Sequence, residues 1–122
     1  MRNLALTLVL ATFTICGCTD IEPKIYREVP SGLVDKEELV KILYDLQLIQ
    51  AAYKGRTHND TIAEQTRNAR AIALLERHNL TQSVFESSME YYHQSPDDME
   101  EIYGEVITKL NMKITQLEEK ID

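Results

Sequence analysis

The chain has 122 residues, 43% of them hydrophobic and 27% charged, with a formal net charge of −7. That length holds one small domain with a single core, and that hydrophobic share excludes a chain disordered by composition. The acidic balance excludes nucleic acid as a partner and disfavours lying flat on anionic lipid.

A short positive start, Met1-Arg2-Asn3, precedes an apolar run from Leu4 to Ile15, and Gly17 stands directly before Cys18. That order is the order of a bacterial secretory signal peptide. A membrane span needs about 20 apolar residues, and this run has roughly a dozen. Ile15-Cys16-Gly17-Cys18 resembles a lipobox, the processing site of bacterial lipoproteins. The resemblance implies cleavage after Gly17, a thioether lipid on Cys18 and an acylated new amino terminus of the palmitate type. Two or more chains anchor stably where one binds marginally. A plain leader with a bare Cys18 would leave an unpaired thiol in an oxidising compartment, which is unusual. Cys16 departs with the leader, so the mature domain has neither a disulfide framework nor a cysteine-based metal site. Arg2 departs too, leaving 12 basic against 20 acidic residues, a net charge of −8.

The expected layout is a leader over 1–17, a lipidated tether over 18–32 and a helical domain over 33–122. Thr19 to Gly32 carries no helical period and is punctuated by Pro23 and Pro30. Fully extended, it reaches on the order of 45 Å, clear of lipid head groups. Asp20 and Glu22 behind the lipid suit export to the cell surface. Thr19, where an aspartate would signal inner-membrane retention, suits the outer membrane. The periplasmic and surface faces stay equally open.

The remainder predicts an all-α fold, a small bundle of about four helices. Four glycines and three prolines in the whole chain leave long helices uninterrupted. Asp35 caps the first, with Glu38 placed as in a capping box. Leu39, Ile42, Leu43, Leu46, Ile49 and Tyr53 then recur at helical spacing. Val40, Leu48, Ala51 and Ala52 widen that face, so this helix is expected to be the most buried. Gly55 supplies a left-handed end. The second helix begins near Asp60 or Thr61 and turns Ile62, Ala69, Ile72, Ala73 and Leu75 to the core. Asn79 caps its end, with Leu80 tucked beside Leu74 or Leu75. Thr81 caps a short third helix bearing Val84, Phe85, Ser88, Met89 and Tyr92.

Ser95 as N-cap, Pro96 at the first helical position and Asp97-Asp98 at the positive dipole end open a long fourth helix. It is expected over Pro96 to Ile121, with Met99, Tyr103, Val106, Leu110, Ile114, Leu117 and Ile121 inward. Their mean spacing of about 3.7 exceeds the 3.5 of a left-handed coiled coil. A fairly straight helix packed in its own bundle is expected. Its last turns, with Leu117 and Ile121, overhang the shorter first helix. They form a partner surface, or else fray or lie under the tether.

Ser88-x-x-Tyr91-Tyr92-x-x-x-Pro96 followed by Ile102-Tyr103-x-x-Val106-x-x-x-Leu110 resembles a family of small Bacteroidota lipoproteins. Leu43-x-Asp45-Leu46-x-Leu48 and Arg77-His78-Asn79-Leu80-Thr81-x-x-x-Phe85 are similar too. The family is the domain of unknown function numbered four-two-nine-six, and the likeness runs over about Leu33 to Leu110. The paired tyrosines before Ser-Pro are its most specific piece. The resemblance implies lipidation and a helical domain, and it supplies no activity and no catalytic residues.

Chemistry is sparse. Glu90-x-x-His93 has the spacing of half a di-iron site, but neither His58 nor His78 follows a glutamate by three residues. Metal and cofactor are therefore expected to be none. No phosphate loop, dinucleotide fingerprint or nucleophile elbow occurs. His78 to Phe85 could suggest a helix-turn-helix, but its second helix carries Glu86 and Glu90 where a basic face would be needed. Asp45, Tyr91, Tyr92 and Tyr103 are the binding or packing residues to test. Asp45 is read as accepting a hydrogen bond from a tyrosine hydroxyl, since buried tyrosines find polar partners. Asp60-Thr61-Ile62 matches a short O-glycosylation pattern at Thr61, and the same threonine suits a helix start. The expected function is a non-catalytic structural or protein-interaction lipoprotein, tethered through Cys18 to an envelope membrane and meeting envelope proteins. The alternative is a ligand-binding lipoprotein that captures glycan or lipid in a tyrosine-lined pocket. An enzyme, with clustered perturbed titratable groups, comes third.

Overall fold

A computed structural model describes residues 27–55 and 60–121. The expected leader, Cys18, the expected tether up to Tyr26 and His58 lie outside the described residues. Within them the chain is all-α, as its periodicity predicts. Four helices follow in order, α1 (Lys36–Tyr53), α2 (Thr61–Arg77), α3 (Gln82–His93) and α4 (Pro96–Glu118).

Each helix starts on a side-chain cap that satisfies amides with no partner in the first turn. Asp35 accepts from the Glu38 amide, Asp60 from those of Ile62 and Ala63, Thr81 from Val84 and Ser95 from Asp98. The box at the start of α1 closes on one side only, because the Glu38 carboxylate turns to Lys41 and His78. At the end of α2, Asn79 takes φ 56°, the left-handed position. The Asn79 amide donates to the Glu76 carbonyl and the Leu80 amide to that of Leu75. This crossed pair is a Schellman turn, and it brings Leu80 against the core.

α1 packs on both α2 and α4, while α3 bridges α4 and α2. α1 and α4 run parallel, since Lys36 meets Asp98 and Glu101 near both helix starts. Further along, Tyr44 and Asp45 share a groove with Met112 and Lys113. α2 runs back along α1, so that His78 at its end reaches Glu38. Leu39, Ile42, Leu74 and Ile102 are fully enclosed at the centre. Each stabilises the fold by about 1.5–3 kcal/mol relative to an exposed position.

Three faces differ from expectation. In α2 the buried residues are Ala63, Leu74 and Leu75, whereas Ile62, Ala69, Ile72 and Ala73 are exposed. The polar stretch from Glu64 to Asn68 left the angular position of this helix undetermined by its own apolar residues, and packing on α1 set it. In α1, Ala51 and Ala52 face solvent, because α1 there nears its end and offers no further layer to cover them. In α4 the enclosed residues are Ile102 and Val106, flanked by half-buried Met99 and Leu110. Tyr103, Ile114 and Leu117 are 40%, 53% and 47% exposed, and Ile121, expected within the helix, lies past its end at Glu118 and is 84% exposed. One broad apolar stripe on α4 is therefore two. An inner one is used by the bundle, and an outer one faces away from it.

Candidate functional site

The segment before α1 is seated by α3. The Val34 amide donates to Ser88 Oγ at 3.0 Å, and the Tyr92 hydroxyl donates to the Val34 carbonyl at 2.9 Å. Ser88 in turn donates to the Val84 carbonyl at 2.8 Å. Ser88 and Tyr92 lie four residues apart, on one face of α3. They hold both backbone groups of a residue that is itself 5% exposed. Burial raises the Tyr92 hydroxyl above the usual tyrosine range.

Tyr91 points elsewhere and meets Tyr92 edge to face, with ring centroids 5.3 Å apart and planes at 82°. The Arg27 guanidinium lies 4.6 Å from the Tyr91 ring centroid. It also donates to the Tyr91 carbonyl at 3.2 Å and to Asp98 at 2.7 Å. Lys36 reaches the other oxygen of Asp98 at 2.8 Å and also pairs with Glu101. Lys36 first, then Arg27, holds the Asp98 carboxyl down to about 2. Asp98 and Glu101 raise Lys36 in return, and Asp98 raises Arg27.

The Ser88-x-x-Tyr91-Tyr92-x-x-x-Pro96 motif thus fastens the segment before α1 to the bundle. Its hydroxyls on Ser88 and Tyr92 are spent on packing, and among the described residues no buried side-chain polar atom lacks a partner. Arg27 and Lys36 gave no signal of this role in the sequence, because their acidic partner lies more than sixty positions away.

Asp45 is placed differently from expectation. No tyrosine hydroxyl among the described residues donates to it, because Tyr92 is committed to Val34. Asp45 instead lines an open groove of about 490 Å³ with Tyr44, Lys41, Lys109, Met112 and Lys113. His78 sits at the same groove beside Glu38, and the contact with His78, ahead of that with Lys41, lowers the Glu38 carboxyl. Tyr91, Tyr92 and Tyr103 do not line this groove. Thr61 is the exposed first residue of α2, with neighbouring Asp60 occupied as its cap. Glu90 is exposed, and His93 lies against the Met89 carbonyl of its own helix. Among the described residues no cluster of histidine, cysteine or carboxylate is arranged to hold a metal ion.

The most conspicuous surface is the outer stripe of α4. Ile107, Ile114 and Leu117 are about half exposed on a helix whose other flank is anchored in the core. No helix among the described residues is long and apolar enough to cross a membrane. No curated protein and no solved structure matches the chain. The sequence pattern of DUF4296, a domain of unknown function, matches residues 30–116, from the tether base through most of α4, and the chain belongs to that family.

Proposed function

We propose that this protein is an envelope lipoprotein that works by contact with another protein rather than by catalysis. Lipid on Cys18 holds it at the membrane, the outer membrane by preference. The tether base is locked to the bundle through Arg27, Val34 and Asp98, and the outer face of α4 receives the partner. One observation carries this reading. Ile107, Ile114 and Leu117 present an apolar row to solvent on a helix that the core already holds, and Ile121 is exposed just past its end. Rows of this kind mark interaction surfaces.

A photo-crosslinking residue placed at Ile114 in intact cells should yield discrete protein adducts, and the same residue at Gln116 should yield none. Cys18→Ser should release the chain from the membrane fraction, and mass spectrometry of the mature amino terminus should find acyl chains. A bare amino terminus beginning at Met1, together with equal crosslinking from both faces, overturns the reading. The second reading, capture of a glycan or lipid, draws support from the α1–α4 groove. Its three lysines around Tyr44 would favour an anionic ligand. Binding of an acidic oligosaccharide that is lost on Lys109→Glu would move the assignment there.

A further inference from the structure

The exposed row on α4 has an internal rhythm. Ile107 and Ile114 lie seven residues apart, Tyr103, Leu110 and Leu117 recur every seven around them, and Ile121 continues the spacing in the sequence just past the helix end. Steps of four and three alternate along the row. This is the a/d pattern of a left-handed coiled coil, with isoleucine at both a positions within α4 and leucine at two of three d positions. That choice favours two parallel strands. The inner stripe of Met99, Ile102, Val106 and Leu110 shares only Leu110 with it, so the heptad face is additional to the one the bundle consumes.

We propose that the occupant of this face is a second copy of this chain, paired parallel and in register along α4. The proposal rests on the contact reading above and names its partner. Charge selects the copy. In the heptad frame Lys113 occupies g and Glu118 the following e, the two positions that meet across a parallel dimer. Each pairing of two copies therefore makes the bridge twice. Among the described residues neither side chain has an ion-pair partner within its own bundle. An antiparallel pairing would set g against g and e against e, lysine facing lysine and glutamate facing glutamate.

The path of the chain selects the same direction. Arg27 is bound to Asp98 in the first turn of α4, so the described chain begins at the amino-terminal end of that helix. Parallel pairing puts both tethers at one end, where two lipids can enter one membrane. The row from Tyr103 to Leu117 is only about 21 Å long. An isolated helix pair of that length would be marginal. Here Ile102 and Val106 already hold the helix formed, so pairing need not nucleate it. Anchoring on one membrane raises the effective concentration of the second copy.

The test uses the full chain, expressed with its own leader and assayed in membranes under mild oxidation. Ile114→Cys should give a disulfide-linked dimer. Gln116→Cys, on the opposite flank, should give only the background of the parent chain. Lys113→Glu added to Ile114→Cys should lower the dimer several-fold, and further addition of Glu118→Lys should restore it. Leu117→Cys repeats the test at a d position if Ile114→Cys fails to accumulate. Absence of dimer at both positions, or failure of the double charge reversal to restore it, overturns the proposal. Adducts to a different protein from a photo-crosslinker at Ile114, without the disulfide dimer, overturn it while the contact reading stands. Absence of both removes both.

Discussion

Ser88→Ala isolates the link between α3 and the tether base. Ser88 is wholly buried and accepts the Val34 amide, and Val34 is nearly as enclosed. Removing the hydroxyl leaves that amide buried without an acceptor, at about 1–3 kcal/mol. The second bond of Ser88, to the Val84 carbonyl, is lost at little further expense, because a carbonyl within a helix keeps its helical partner. For a domain of this size, 1 kcal/mol corresponds to about 4–8 °C in Tm. The substitution should therefore lower Tm by roughly 4–24 °C. Tyr92→Phe strands the Val34 carbonyl in the same way and should cost about 1–3 kcal/mol. The double variant should lose less than the sum, since both bonds hold one residue and the second is weakened once the first is gone. Circular dichroism of the full chain in detergent gives Tm and the denaturation midpoint. Hydrogen exchange at the Val34 amide reports the bond itself. A Ser88→Ala chain with unchanged midpoint and unchanged Val34 protection would refute the account.

Acid should weaken the Asp98 clamp. Its carboxyl is depressed in the fold, so the stability it contributes is fully present above its ordinary value of 3.8 and is lost as pH falls toward about 2. Wild type should therefore lose its advantage over Asp98→Asn between pH 4 and 2 and retain it at pH 7, as read from urea midpoints at each pH. Ile102→Ala should cost about 2–5 kcal/mol by leaving a cavity. Ile107→Ala should stay within about 0.5 kcal/mol because its side chain is half exposed. Equal midpoints for these two variants would show that the inner face of α4 has been misplaced. Asn79→Gly should be neutral or slightly stabilising and Asn79→Val should destabilise by about 1–2 kcal/mol, since only the latter resists the left-handed backbone. Thermal melts of the two decide it.

The sequence by itself determined what depends on neighbours within a few residues. Asp35, Thr81, Ser95 and Pro96 set helix starts, and Asn79 set a helix end, because capping joins a side chain to amides or carbonyls of the adjoining turn. The all-α class and the dominance of α1 followed from periodicity, which is also local. Tertiary structure decided the rotation of each helix about its axis. On α4 so many apolar residues lie around the helix that the sequence permits several inward faces, and packing against α1 chose Ile102 over Tyr103. The polar start of α2 left a similar freedom. The partners of Val34, Arg27 and Lys36 were invisible for a related reason. They lie more than fifty positions away, and only closure of the chain brings Ser88, Tyr92 and Asp98 to them. The outer heptad of α4 was present in the letters throughout, but it became readable as a second face only when the bundle had shown which face it needed for itself.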